Sequence, residues 1–250
     1  MIVWITGASS GLGSEVARQY AEAGHTVFAT ARSVDQLAEL AGECRNAAGK
    51  IKTLRLDVTD PSSVATCFKD ICSTTGVPDL TILNAGAHAQ NSAGAFDRQV
   101  FKRLMDVNYL GTINCLQEIV PACLARRTGH IAVVSSVAGY RGLPDASAYG
   151  ASKAAVINLC EALQPELRLG GVKLTVINPG FVRTPMTDKN EFPMPFLMEV
   201  EDAAKSMIRG LEKDNFEITF PRRFTWLLKL LRILPINIYL RLTARLIKRD

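Results

Sequence analysis

The sequence predicts an α/β fold, a doubly wound sheet of seven parallel strands with helices on both faces. Short, nearly continuous apolar runs alternate along the chain with longer stretches whose apolar residues recur at helical spacing. Near-continuous apolar strands are the signature of a parallel sheet covered on both sides, and right-handed crossovers then place the helices. The first run also passes directly into a glycine-rich turn and a helix, the usual opening of a doubly wound sheet.

Taken in order, the expected strands are Ile2 to Thr6, Thr26 to Thr30, Lys50 to Leu56, Leu80 to Leu83, His130 to Ser135, Val172 to Ile177 and Phe216 to Phe220. The first helix is expected over Leu12 to Ala23, and helical segments fall between most of the later strands. No internal repeat or interdomain linker interrupts the pattern, so residues 1–250 read as one catalytic domain. The Pro-rich stretch from Pro185 to Pro195 breaks regular structure, and 185–198 is expected to form a substrate flap.

Composition narrows the function classes. With 48% hydrophobic and 21% charged residues the chain has the balance of an ordinary globular protein. Its first residues lack the basic leader and cleavage pattern of a signal peptide, which makes a cytoplasmic location the simplest expectation. The six cysteines form no CxxC pair and read as free thiols, while His25, His88 and His130 lie on different elements, so no metal site is expected. Residues 221–250 hold eight Lys or Arg against one Asp, so this segment carries +7 and the remainder −2 of the net +5. Basicity confined to a tail argues against a nucleic-acid binder.

Ligands of a doubly wound sheet bind at the carboxyl ends of the strands. After the first strand comes TGASSGLG, in which Gly7, Gly11 and Gly13, with Ser9, Ser10 and Leu12 between them, let backbone amides approach a pyrophosphate at a helix N-terminus. A glycine turn alone is equally a structural joint, so the second strand matters. It ends in Ala31 and Arg32, where an NAD-selecting Rossmann-like fold carries a carboxylate. A guanidinium there suits a 2′-phosphate, which favours NADP(H) over NAD(H). Asp57 and Val58 follow the third strand, and Asp60, preceding Pro61, is the better helix cap; Asp57 is therefore left for the adenine amino group and Val58 for the ring. Asn84, Ala85 and Gly86 follow the fourth strand and let the backbone come close to a ribose.

The fifth strand ends in VVSSVAG, and a helix beginning near Ala148 carries Tyr149 and Lys153 four residues apart on one face. A phenol of reference pKa about 10 is a poor proton shuttle, but an adjacent ammonium and an oxidised nicotinamide stabilise the phenolate. Tyr149 then serves as general acid or base, with the Ser136 hydroxyl bonding the developing alkoxide and Lys153 also able to hold the nicotinamide ribose.

A YxxxK pair is common by chance, but TGxxxGxG, NAG, a serine thirteen residues before the tyrosine, YxxxK and NPGFVRT occur here in one order. Together they resemble the short-chain dehydrogenase/reductase family, in its shorter single-domain branch, from Ile2 to about Thr184. The resemblance implies a catalytic tetrad of Asn108, Ser136, Tyr149 and Lys153, with Asn108 bending its helix and ordering a water beside Lys153. Ser136 rather than Ser135 has the family's spacing to Tyr149. Pro179, Gly180, Val182 and Thr184 match the loop that contacts the nicotinamide carboxamide. The basic residue many NADP-preferring relatives carry in the glycine turn is replaced here by Ser10, so the cofactor preference rests on Arg32. The resemblance further implies a homodimer or homotetramer and a small-molecule carbonyl or alcohol substrate. The runner-up class is a catalytically idle NADP-binding sensor or scaffold, against which the intact tetrad argues.

By the same resemblance, His88, Gln90, Tyr140, Leu143 and residues 186–198 build the substrate pocket. Phe192, Pro193, Met194, Phe196 and Met198 suit an apolar aldehyde, ketone or acyl chain, or equally ordinary packing, and His88 reads more simply as an exposed loop residue. From Arg222 onward the chain reads as two basic amphipathic helices, too short to cross a bilayer, that leave open a peripheral membrane contact, a lid or a subunit interface.

Overall fold

The computed structural model describes residues 1–188 and 194–246. Strand β1 (Ile2–Thr6) leads into α1 (Gly11–Glu22), followed by β2 (Thr26–Ala31), α2 (Val34–Glu43), β3 (Lys50–Arg55), α3 (Pro61–Thr75) and β4 (Leu80–Leu83). The second half holds α4 (Arg98–Met105), α5 (Gly111–Arg126), β5 (His130–Val134), α6 (Ser147–Leu169), β6 (Lys173–Pro179), α7 (Val200–Leu211), β7 (Glu217–Phe220), α8 (Arg222–Ile233) and α9 (Ile236–Thr243). The strands form one seven-stranded sheet in the order β3-β2-β1-β4-β5-β6-β7. Every neighbouring pair is parallel, so each connection must cross a face of the sheet.

The two faces have separate cores. Val16, Tyr20, Leu37, Leu40, Ala203 and Met207 bring α1, α2 and α7 onto one face. Val64, Ile71, Cys115, Ile119, Val156 and Leu167 bring α3, α5 and α6 onto the other. Each central strand is buried on both sides, which accounts for its lack of polar alternation. β3 departs from that rule: its KIKTLR is largely exposed because it is the sheet edge, where lysines discourage pairing with another chain.

All seven expected strands form, with bounds displaced by at most two residues. The expected cap of α3 also forms, since the Asp60 side chain accepts from the Ser62 amide and Pro61 opens the helix. The order of strands reverses between β1 and β4, and the loops after these two strands therefore diverge to frame a crevice. Of the expected flap, 189–193 lie outside the described residues, as do 247–250 of the basic tail. The described flanks fold back on the loop after β6: Met198 N donates to Phe181 O at 3.0 Å and Arg183 N to Met198 O at 2.9 Å.

Candidate active site

The glycine turn is shaped by close approach. Gly7 has φ +68° and Gly11 φ +57°, and a Cβ on Gly7 would lie 2.7 Å from Ala85 Cα. A Cβ on Gly13 would lie 2.4 Å from both Asn84 Nδ2 and Gly7 O. Asn84 fastens this cradle: its Nδ2 donates to Thr6 O and Gly7 O, while Thr6 Oγ1 accepts from the amides of Asn84 and Ala85. Asn84 thus works through its side chain, whereas sequence reasoning expected only a small-residue backbone turn. Ser10 precedes α1 with extended backbone and its side chain makes no cap bond, so the helix presents its first amides to the crevice. Leu12 packs against the core of that face, and Ser9 is half-buried. Thr184 closes the turn from the far side, with its Cγ2 3.1 Å from where a Gly11 Cβ would sit. These features are a cradle for an anion such as a dinucleotide pyrophosphate, and the residues fit that group.

Gly13→Ala is expected to fail on this geometry. The methyl meets backbone as well as the Asn84 amide, so thermal stability should drop by about 1–3 kcal/mol and affinity for a dinucleotide by roughly tenfold or more. Thermal melts and cofactor titration of the variant check both.

Arg32 lies exposed at the end of β2 and makes no hydrogen bond or ion pair among the described residues, leaving its guanidinium available to a ligand. Asp57 is less free than the sequence suggests. Its Oδ1 accepts from the Thr59 amide at 3.0 Å and the Thr59 hydroxyl at 2.7 Å, a local turn that an Asp two residues ahead of a Thr forms by itself. Partial burial pushes its carboxyl up, but the Thr59 bonds and the Arg32 charge outweigh this and hold it below the usual range. Val58 is buried with its Cγ2 facing Gly111 of α5, so it belongs mainly to the core.

The Asn84–Gly86 turn joins this cradle to a second cluster. A Cβ on Gly86 would lie 3.4 Å from Asn108 Oδ1 and 3.5 Å from Lys153 Nζ. Asn108, 1% exposed, sits in a π-bulge at Asp106–Leu110 between α4 and α5. Its Oδ1 accepts from Ala87 N at 2.7 Å; its Nδ2 donates to Ala87 O at 3.0 Å and Ser152 Oγ at 2.9 Å. The side chain is thus fully engaged in tying the loop after β4 to α6. It positions this region, within the π-bulge that interrupts the helix.

Lys153, 4% exposed, donates from Nζ to Val134 O at 2.9 Å, and burial lowers its pKa to about 8. The same Nζ lies 5.9 Å from the centre of the Tyr149 ring. Burial raises the Tyr149 pKa, and a side-chain hydrogen bond with Ser136 offsets part of that rise. Without a bound dinucleotide, burial thus favours Tyr149 as a neutral phenol; the acidification expected from the sequence also requires the oxidised nicotinamide beside it. The two neighbouring serines divide their roles, since Ser135 Oγ donates to Lys153 O in the core while Ser136 faces Tyr149. Ser136 Oγ also accepts from Ala138 N at 3.1 Å and reaches Pro179 O at 3.5 Å. Gly180 N donates to Phe220 O, which pins this loop to β7, and Val182 is buried.

Two pocket residues expected from the sequence are corrected. His88 is half-buried, edge-on to Tyr149 with ring centroids 4.7 Å apart, and burial lowers its pKa. Tyr140 is buried and its hydroxyl donates to Glu217 Oε1, which also accepts from Asn178 Nδ2, while Glu217 Oε2 pairs with Lys229. Tyr140 therefore belongs to a structural network rather than a substrate wall. A lone acid within the apolar run FEITF was the available signal for it. Gln90 is exposed, and Leu143 packs beside Leu228 and Leu231.

Among the described residues no group of His, Cys, Asp and Glu could hold a metal ion, and no helix is long and apolar enough to cross a membrane. Comparison with known proteins agrees with the geometry. The family model for short chain dehydrogenases matches residues 1–193. An uncharacterized oxidoreductase of Myxococcus xanthus is 36% identical over 231 residues, covering 92% of this chain and 91% of that protein. A dehydrogenase/reductase SDR family member 7B of Bos taurus is 35% identical over 73% of this chain, though over only 58% of its own length. Among solved structures, a short-chain dehydrogenase from Sphingobium yanoikuyae in complex with NADPH superposes with a TM-score of 0.81 at 25% identity, covering 94% of this chain and 96% of that one.

Proposed function

The chain belongs to the short-chain dehydrogenase family, and from that premise we propose that it uses NADP(H) to interconvert an apolar carbonyl compound and its alcohol, with Tyr149 as general acid/base. The observation that carries this reading is the grouping of Tyr149 with Ser136 and the buried Lys153, whose Nζ lies 5.9 Å from the Tyr149 ring centre, in the cluster that the Asn84–Gly86 turn joins to the glycine cradle. When bound, the dinucleotide supplies or accepts the hydride. The amides at the start of α1 hold its pyrophosphate, and Arg32 receives the 2′-phosphate that distinguishes NADPH from NADH.

In reduction Tyr149 enters with its proton in place, as its raised pKa requires, and passes it to the substrate oxygen. The Ser136 hydroxyl donates a hydrogen bond to that oxygen as charge develops. Lys153 remains cationic and favours the phenolate left behind; its bond to Val134 O and the packing around Gly86 keep it from swinging out. His88 fixes the plane of the Tyr149 ring through its edge contact. The complex named for Sphingobium yanoikuyae supports NADP(H), as does the unpaired Arg32. Turnover of NADPH against medium-chain aldehydes, ketones, steroids and quinones tests the reading, with Tyr149→Phe as the control.

A pH dependence follows from the two shifts. Tyr149 is raised, so it stays protonated through the neutral range, whereas Lys153 is cationic only below about 8. At saturating carbonyl substrate, kcat/KM for NADPH in reduction should be level near neutrality. It should fall about tenfold per pH unit once pH rises past the Lys153 value, because the charge that stabilises the phenolate is lost. A profile level to pH 10 would contradict the role given to Lys153.

A further inference from the structure

The last two helices are fastened on one side and bare on the other. On the inner side Arg141 Nη1 donates to the carbonyls of Leu231, Arg232 and Leu234, capping the end of α8, and its guanidinium lies 4.0 Å from the centre of the Tyr239 ring. Tyr239 Oη donates to Gly142 O, Lys229 pairs with Glu217, and Phe224 stacks near Phe181 at 5.6 Å. These contacts place α8 and α9 firmly on the body through Glu217 of β7, Arg141 and Gly142 after β5, and Phe181 after β6. The outer side is apolar: Trp226 is 73% exposed and Ile233 76%, with Leu227, Leu230, Ile236 and Leu240 also exposed. On α8 these fall at i, i+1, i+4 and i+7, a single face. Exposed Arg222, Arg223, Arg241 and Arg245 belong to the same two helices and the turn that ends them.

We propose that this face is an interfacial docking surface for an anionic lipid bilayer, with α8 and α9 lying in the headgroup plane. Charge selects the occupant. By sequence the segment concentrates +7 while the rest of the chain is −2, and the exposed Arg222, Arg223, Arg241 and Arg245 lie on the helices that carry the apolar face or in the turn after them, where they can attract anionic headgroups. A second copy of the chain would instead bring another segment of the same +7 charge to this face, and residues 221–250 contain only one acid to offset it. Trp226, exposed on this face, is of a residue type favoured at a membrane–water boundary. The segment these helices cover, Val137 to Leu143, follows directly on Ser136, so a docked bilayer lies close to the substrate side of the site. That consequence rests on the oxidoreductase reading; the docking does not.

The test uses the purified full-length protein and sucrose-loaded vesicles of phosphatidylcholine, with and without about 30% phosphatidylglycerol. The protein should pellet with the anionic vesicles at least about tenfold more than with neutral ones, and about 0.5 M NaCl should reduce the difference. Trp226 is one of two tryptophans and Trp4 is fully buried, so a blue shift of emission on vesicle addition reports this face directly. Leu230→Glu combined with Ile233→Glu, both exposed, should reduce pelleting about tenfold or more while leaving NADPH affinity and the melting temperature unchanged. Equal binding to both vesicle types, or no binding and no emission shift, would overturn the proposal. So would a concentration-dependent dimer that the double variant dissolves without any vesicle binding. A protein that docks on vesicles yet reduces no carbonyl would leave the surface standing and remove only the catalytic reading.

Discussion

Tyr149→Phe should lose about 10²- to 10⁴-fold in kcat while binding NADPH as tightly as the parent, because only the transferable proton is removed. The ring keeps its edge contact with His88, and Ser136 retains its bonds to Ala138 N and Pro179 O, so the cavity should keep its shape. Removing the hydroxyl leaves both of these Ser136 bonds in place, so KM for the carbonyl substrate is expected to change far less than kcat. Steady-state kinetics beside cofactor titration separate the two quantities. Retained turnover would move the proton-transfer role elsewhere, and His88, whose ring touches Tyr149, is a poor donor at neutral pH because its pKa is lowered.

Arg32→Asp should reverse the cofactor preference. The guanidinium at the end of β2 is exposed, so replacing it disturbs little of the fold. Losing a charge-assisted contact to the 2′-phosphate costs about 1.5–3 kcal/mol, roughly ten- to a hundredfold in NADPH affinity, and a carboxylate adds repulsion to that. The same carboxylate can accept from the free ribose hydroxyls of NADH, so NADH affinity should hold or rise. Fluorescence titration of parent and variant with both dinucleotides reads the effect as a ratio of four dissociation constants. An unchanged ratio would mean that selectivity resides in the glycine turn, where Ser10 stands, and not at Arg32.

Both outcomes depend on features that were legible at different ranges along the chain. The strands could be read because their apolar runs are local, and the two-sided burial of the sheet leaves little ambiguity in a segment such as IVWIT. The edge strand β3 was recognisable only by its β-branched and leucine content, since Lys50 is exposed and Lys52 lies part-buried over the Phe28 ring. The glycine spacing, the pairing of Tyr149 with Lys153 on one turn of α6, and the cap at Asp60 are likewise set within a few residues. What could not be read joins distant parts of the chain. Asn108 reaches Ser152 across 44 positions, Asn84 reaches Gly7 across 77, and Tyr140 reaches Glu217 across 77. No periodicity encodes such partners.

The extent to which Tyr149 and Lys153 are desolvated was hidden for a similar reason. Charge proximity is visible in an i, i+4 pair, but desolvation depends on everything that packs around the pair, here enough to raise the phenol and bring the ammonium down to about 8. Likewise, the composition of the last helices showed that they are amphipathic and basic, yet only the fold shows which face the Arg141 clamp turns inward and which it leaves bare.

The most direct test of the central claim is the fate of a deuterium at C4 of NADPH during reduction of a medium-chain aldehyde. The account expects wild-type enzyme to deliver that deuterium to the carbinol carbon, with Tyr149→Phe delivering it at least about a hundredfold more slowly at equal cofactor occupancy. Tight NADPH binding with no deuterium transferred to any carbonyl compound tried, or transfer at the same rate by both proteins, would contradict it.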